Sequence, residues 1–193
     1  MLTFGNHKLG TDTAVFNMGT SIDCPSRKLG LCQTIKQGVK CYAEKAEIQY
    51  KDPVINHRLS QAAKWKSKTG PELTMQFLDQ IKRRRTKTTF LRYNESGDFN
   101  EQADIDKLNY VSRCLRENGI ITYGYTARSD LDFRGIDFLC KGSGFNADGL
   151  SGSTKVLLKN DVVPEGYFLC PGSCKKCNLC KINVAHNIAF KQH

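Results

Sequence analysis

The chain has 193 residues, a net charge of +10 and 39% hydrophobic residues. That content can fill one sizeable core and the length does not require two, so we expect a single domain over residues 1–193. No apolar run is long enough to cross a bilayer, and the N-terminus lacks the pattern of a secretory signal. These features argue against a membrane-spanning or secreted protein and predict a cytoplasmic one.

Strands and helices are predicted to alternate along most of the chain. In chain order the pattern predicts a strand over 13–20, a loop over 24–40, a helix from Tyr42 that Pro53 kinks or divides, a helix from Pro71 to about Arg85, a strand over 88–93, a helix from about Glu101 to Glu117 and a strand over 120–127. Further strands are expected within 135–144 and 153–160, before a cysteine-rich tail over about 162–193 that ends in a short final segment.

Such alternation is typical of an α/β fold with a mostly parallel sheet, in which functional groups gather at the carboxyl ends of the strands. The units are too few for a complete eight-fold barrel. We therefore expect a partial (βα) barrel or an open, mostly parallel sheet.

Nine cysteines are present, and thiols in a reducing compartment are more often metal ligands than disulfides. Cys114 and Cys140 stand alone in a predicted helix and strand, where we expect them to be buried as small hydrophobic residues. The other seven form two groups. We call Cys24, Cys32 and Cys41 the first cysteine set, and Cys170, Cys174, Cys177 and Cys180 the terminal cysteine set.

The terminal cysteine set follows the spacing Cys-x3-Cys-x2-Cys-x2-Cys, within which Cys-x2-Cys-x2-Cys is the spacing of ferredoxin-type loops around a four-iron cluster. Structural zinc is the competing interpretation, although zinc ribbons normally use two separated cysteine pairs. The first cysteine set is more widely spaced and lies on a predicted strand-to-helix loop. Seven thiols can hold two clusters, as four plus three ligands, or share one site with some thiols left over.

The segment Glu95, Ser96, Gly97 and Asp98 follows a predicted strand. Its carboxylates are placed to contact a ligand amine or to act as a base. Asp98 or Asn100 could equally cap the next helix. No residue is singled out as catalytic.

Several motifs together resemble a known family. They are Cys41-Tyr42-Ala43-Glu44, then Glu95-Ser96-Gly97-Asp98-Phe99, then Tyr123-Gly124-Tyr125-Thr126, and finally the terminal cysteine set. The chain resembles phage-encoded proteins of the gene product 88-like type, which are similar to reduced radical S-adenosylmethionine (SAM) enzymes. The resemblance implies host cytoplasm, a cluster with an open iron at the first cysteine set, and SAM contacted by Glu95 to Asp98. Radical SAM loops usually have the tighter spacing Cys-x3-Cys-x2-Cys.

The sequence therefore predicts an iron-sulfur protein of the four-iron four-sulfur type, with radical-SAM-like or electron-transfer activity on an unknown substrate. The alternative is a metal-stapled basic module that binds nucleic acid or a host protein. Much of the positive charge lies at Lys64 to Lys68 and at Lys82 to Lys87, and the second run would carry such binding, although a solvated helix end is the better explanation of that run. Trp65 could stack on a base, but a single helical tryptophan is more often part of a core.

Overall fold

A single eight-stranded sheet organises the computed structural model, which describes residues 1–6, 8–175, 177–182 and 185–192. The strands are β1 (Thr3–Phe4), β2 (Thr13–Phe16), β3 (Phe90–Tyr93), β4 (Ile121–Thr126), β5 (Leu139–Ser143), β6 (Ser153–Leu157), β7 (Tyr167–Leu169) and β8 (Asn187–Lys191). The helices are α1 (Pro25–Lys28), α2 (Gln33–Lys36), α3 (Tyr42–Ser67), α4 (Gly70–Lys82) and α5 (Gln102–Glu117).

The strand order is β1-β2-β3-β4-β5-β6-β8-β7. Strand β1 is antiparallel to β2, and the other pairings between neighbouring strands are parallel. The predicted α/β fold with an open, mostly parallel sheet is therefore confirmed.

The sheet is curved. The rings of Tyr125 on β4 and Phe190 on β8 have centroids 5.9 Å apart although β5 and β6 lie between these strands. In a flat sheet, with about 4.8 Å between neighbours, the two strands would be about 14 Å apart. We call the face that carries these rings the concave face. Register places Arg92 beside Tyr123, and Lys141 beside Tyr125, on the same face.

The main hydrophobic core lies on the opposite face, between the sheet and helices α3, α4 and α5. The Phe16 ring packs edge-on against the Phe77 ring, with 5.0 Å between the ring centroids, and its centroid lies 5.9 Å from that of Trp65. Trp65 is buried and its ring nitrogen donates to Asp104, which confirms the expectation that it belongs to the core. Cys140 is buried as expected.

The expectation for Cys114 is wrong, because this cysteine is only partly buried. It lies one helical turn after Tyr110, which is itself 44% exposed, so both residues occupy the edge of the α5 surface rather than its core stripe. The stripe consists of Ile105, Leu108, Val111 and Leu115, all buried at the spacing predicted from the sequence.

Two other predicted segments differ from the structure. The expected loop over 24–40 contains the one-turn helices α1 and α2. The tail contributes two strands, and β8 inserts between β6 and β7. The division near Pro53 is confirmed, since Lys51 has φ 42° and interrupts α3 two residues earlier. No helix in the described ranges has both the length and the apolarity needed to cross a membrane.

Candidate metal centres

Each cysteine of the first set is the N-cap residue of a helix. Cys24 precedes α1, Cys32 precedes α2 and Cys41 precedes α3. A helix N-terminus presents backbone N–H groups without intrahelical partners, and such groups stabilise a thiolate. Because α1 and α2 have one turn each, these local amides matter more than any macrodipole. The three cysteines therefore have the same kind of electropositive backbone setting.

The thiols of the first cysteine set act on one another electrostatically. The pKa of Cys24 is raised to about 12, mainly by burial and to a smaller extent by the charge of Asp98, while a hydrogen bond from the amide of Arg27 opposes the rise. Burial also raises the pKa of Cys41. Cys32 adds to the rise at both Cys24 and Cys41, so it lies within electrostatic range of each. Binding a metal here must displace protons from buried thiols.

Asp98 is a buried structural anchor for the loop that carries Cys24. Its carboxylate accepts hydrogen bonds from the hydroxyls of Ser26 (2.5 Å) and Thr126 (2.8 Å). The amides of Ala127 and Phe99 also donate to it, each at 2.9 Å. Burial raises the Asp98 pKa, and these hydrogen bonds partly oppose the rise. Asp98 thus fastens α1 to the carboxyl ends of β3 and β4.

The helix-cap alternative for this segment is wrong. The N-cap residue of α5 is Glu101, and neither Asp98 nor Asn100 occupies that position. Asp104, in the first turn, instead accepts from the amide of Asn100 at 2.6 Å. Asp98 comes too early in the chain to cap α5 because the turn that buries it continues through Phe99 and Asn100.

A second buried carboxylate, Glu47, joins the other parts of the first cysteine set. It accepts from the amide and hydroxyl of Ser21 and from the Ser96 hydroxyl at 3.2 Å. Arg58 pairs with it at 2.6 Å. Glu47 lies six residues after Cys41, so this network ties α3 to the loop before Cys24 and to the turn at Ser96. Sequence reasoning missed Glu47, although its position four residues after an alanine on the buried helix face was a signal.

Glu95 lies beside the first cysteine set in a more open position, with 20% of its side chain exposed. Its carboxylate accepts from Asn6 at 3.1 Å and lies 3.5 Å from the Arg92 guanidinium. The Tyr42 hydroxyl donates to the Glu95 backbone carbonyl at 2.5 Å. The Cys-Tyr-Ala-Glu and Glu-Ser-Gly-Asp-Phe motifs are therefore in direct contact.

The terminal cysteine set lies on the connection from β7 to β8. Residues 170–175 and 177–182 form turns and bends without helix or strand, and Lys176 lies outside the described residues. The Gly172 amide donates to the Cys170 sulfur at 3.4 Å, and the Cys174 amide donates to the Lys8 carbonyl at 2.9 Å. Burial raises the pKa of Cys170 and so do Cys174 and Cys177, which places these three thiols within electrostatic range.

The same connection packs onto the concave face. Burial raises the pKa of Cys180, and the Tyr125 hydroxyl opposes the rise by donating a hydrogen bond to it. Burial also raises the pKa of Tyr123, with smaller contributions from Cys174 and Cys180. The ammonium of Lys181 lies 4.4 Å from the centroid of the Phe90 ring. The terminal cysteine set therefore faces side chains of β3 and β4.

Arg92 stands between the two cysteine sets on this face. It donates to the Tyr42 hydroxyl at 3.1 Å, and Tyr42 directly follows Cys41. On its other side it lies 5.4 Å from the centroid of the Tyr125 ring, whose hydroxyl contacts Cys180. Both cysteine sets thus border the same surface, a relationship that spacing in the sequence did not reveal.

The thiols suit a soft metal centre. All nine cysteines are free of disulfides. Among the described residues, no three Cys, His, Asp or Glu side chains converge closely enough to hold a single ion. An iron-sulfur cluster attaches each thiolate to a separate iron, so its ligands need not converge on one point. A donor set made only of thiolates fits iron-sulfur clusters and zinc better than harder metals.

The basic run after α4 is partly engaged by nearby groups. Arg83 pairs with Asp79 at 2.8 Å, and Arg84 lies 4.0 Å over the Phe4 ring. The run is found at a helix C-terminus, where positive charge is favourable.

No family model, curated protein or solved structure matches the chain. The resemblance to gene product 88-like proteins and to radical SAM enzymes therefore stays a prediction from the residue motifs.

Proposed function

We propose that the chain is an iron-sulfur protein that holds a four-iron cluster at each cysteine set. The observation that carries the proposal is that two groups of free thiols, separated by the 129 residues from Cys41 to Cys170, are connected across one concave face. Arg92 contacts both Tyr42, which follows Cys41, and Tyr125, which donates a hydrogen bond to Cys180. The three thiols of the first set belong to helix N-cap residues, and in the terminal set the Gly172 amide donates to Cys170 and the Tyr125 hydroxyl donates to Cys180. These donors stabilise thiolate ligands and oppose the effect of burial, which raises the thiol pKa.

The two sites would differ in function. The terminal cysteine set has four thiolates, enough for every iron of a four-iron cluster. The first cysteine set has three, which leaves one iron for a small ligand, and SAM is the ligand that the resemblance implies. A cluster there would supply single electrons.

The protein's contribution at the first site is to orient that ligand. Asp98 and Ser96 already have hydrogen-bond partners within the protein, since Asp98 accepts from the Ser26 hydroxyl and Ser96 donates to Glu47. Glu95 keeps an accessible carboxylate beside the Arg92 guanidinium, so these two side chains are placed to meet an amine and a carboxylate of one ligand. We therefore assign ligand contact to Glu95 and assign Ser96, Gly97 and Asp98 to holding the turn.

The direct test is the iron, acid-labile sulfide and zinc content of anaerobically prepared protein, with electron paramagnetic resonance (EPR) after reduction. We expect iron and sulfide in similar amounts and an EPR signal that changes on addition of SAM. Zinc without iron or sulfide would overturn the proposal. Reversible reduction with a signal that SAM does not alter would instead support an electron carrier.

Cysteine variants assign the clusters. Serine at all three positions of the first cysteine set, or at all four of the terminal set, should each remove about half of the iron. Only the first of these changes should abolish the response to SAM. Cys114→Ser is the matched control, because Cys114 is partly buried on α5 and belongs to neither set. Equal iron in all variants would refute the assignment.

A further inference from the structure

Lys181 is a buried cation without a carboxylate partner in the part of the chain that the structure describes. It is 2% exposed. Its ammonium lies 4.4 Å from the Phe90 ring centroid, 6.0 Å from that of Tyr123 and 3.4 Å from the Thr13 hydroxyl. Transfer of an ammonium from water into the protein interior costs free energy. Contacts with two ring faces and one long contact with a hydroxyl offset only a small part of this cost.

One phenol lies beside this cation, and a second lies two residues further along the same strand. The Tyr123 hydroxyl is buried and has no hydrogen-bond partner among the described residues. Tyr123 is 1% exposed, and Cys174 and Cys180 are among the groups that act on it electrostatically. Tyr125, two residues along the same strand, directs its hydroxyl at Cys180. A buried donor without an acceptor is rare in native proteins, so Tyr123 needs an acceptor.

The two phenols share a neighbour, the terminal cysteine set, because Cys174 and Cys180 act electrostatically on Tyr123 and Cys180 accepts a hydrogen bond from Tyr125. Lys181 directly follows Cys180 in the chain, and its ammonium is connected to this set through Tyr123, whose ring centroid lies 6.0 Å away. Four thiolates carry more negative charge than an iron-sulfur core carries positive, so a centre bound there would be anionic and would accept hydrogen bonds through its sulfurs.

We infer that Lys181, Tyr123 and Tyr125 form a built-in shell of positive charge and hydrogen-bond donors for the anionic metal centre of the terminal cysteine set. The inference rests on the function proposed above. Lys141 adds a second buried cation nearby, whose ammonium is fixed by the carbonyls of Ser151 (2.5 Å) and His186 (2.8 Å). The shell stabilises the reduced centre more than the oxidised one, since reduction adds negative charge. It therefore raises the midpoint potential.

Variants of the shell distinguish it from ordinary core residues. Loss of the Lys181 charge should not destabilise the metal-free protein, but it should lower the midpoint potential of the cluster-loaded protein. In the metal-free protein, Lys181→Met removes an uncompensated buried charge, so the urea midpoint should rise or stay unchanged. In the cluster-loaded protein, the same change should lower the midpoint potential, with about a tenfold change in the reduced-to-oxidised ratio, or 59 mV for one electron. Tyr123→Phe and Tyr125→Phe should lower the potential in the same direction.

Lys175→Met is the matched control, because Lys175 is exposed on the same connection. Potentials of the Lys181 and tyrosine variants that equal the control would overturn the inference, and so would destabilisation of metal-free protein by Lys181→Met. These outcomes are distinct from failure of the proposed function, in which the unaltered protein itself would contain no iron at the terminal cysteine set.

Discussion

Replacement of Gly97 by alanine tests how closely the Glu95 to Asp98 turn is held against the loop that leads to the first cysteine set. Gly97 has φ +78°, a conformation that side chains rarely adopt. An added Cβ would lie 2.5 Å from the Gly19 amide nitrogen and 2.8 Å from the Gly19 Cα. Both obstacles are backbone atoms, so no side chain can rotate away and the two segments must separate.

The expected magnitude has two parts. The left-handed conformation costs a non-glycine residue about 1–2 kcal/mol. Forcing extra volume between packed backbone segments costs about 1–3 kcal/mol more. We therefore expect Gly97→Ala to lower the free energy of unfolding by about 2–5 kcal/mol.

Gly119→Ala separates these two parts. Gly119 also has a positive φ, +74°, but an added Cβ would meet nothing within 4 Å. It should therefore lose only the conformational part, about 1–2 kcal/mol.

Urea unfolding of metal-free protein, followed by circular dichroism, measures both changes, and thermal unfolding gives a second readout. For a chain of this length, each kilocalorie corresponds to about 2–4 °C in Tm. Equal losses in Gly97→Ala and Gly119→Ala would show that the turn does not press against Gly19, and would refute the reasoning.

Three further predictions concern other buried or paired groups. Arg58→Met removes the partner of the buried Glu47, and urea unfolding should show a loss of about 3–5 kcal/mol. Burial raises the pKa of Cys24 to about 12, so mass spectrometry should find its alkylation in folded, metal-free protein at pH 8 slower than in urea by on the order of a thousandfold. Hydrogen bonds from Arg116 and Arg113 lower the pKa of Asp137, so this carboxylate stabilises the fold above its unfolded pKa and loses that contribution as pH falls through the folded pKa. Asp137→Asn should therefore flatten the acid side of the stability profile.

Each of these has a contradicting result. An unchanged unfolding free energy for Arg58→Met would mean that water reaches Glu47. Equal alkylation rates in the folded and unfolded chains would show that Cys24 is accessible as a thiolate. An acid limb identical in Asp137→Asn and the unaltered protein would indicate that the arginine contacts to Asp137 are too exposed to matter.

The long helices were predictable from local signals. Helix α4 begins where Thr69 and Glu72 form a capping box, and Pro71 occupies the first turn as expected. The stripe of α5 was visible as regular apolar spacing. Such patterns work because each helix buries one face against the sheet.

The short helices α1 and α2 could not be predicted in this way. Four residues carry no measurable period, and α1 depends on the contact of Ser26 with Asp98, 72 residues away in the chain. A loop was therefore the natural expectation for 24–40. The local sequence around α1 gives no information about a hydrogen bond to a carboxylate as distant in the chain as Asp98.

The candidate site was predictable as two groups of cysteines but not as one surface. Their common border depends on sheet curvature, which brings Tyr125 towards Phe190, and on Arg92 between Tyr42 and Tyr125. Alternation along a strand predicts which residues share a face, but it does not predict how far the sheet bends.

The position of β8 in the sheet has a consequence for the order of folding during synthesis. Strand β7 leaves the ribosome before β8, yet β8 is the strand that joins β7 to β6. The nascent β7 therefore has no neighbouring strand to pair with until the connection with four cysteines and β8 have followed. A metal bound to the four cysteines would shorten the effective loop between β7 and β8. The entropic cost of closing that loop would fall, and β8 would pair with β7 sooner. The supply of metal would then determine how long the unpaired edge of β7 can form hydrogen bonds with other chains and so promote aggregation.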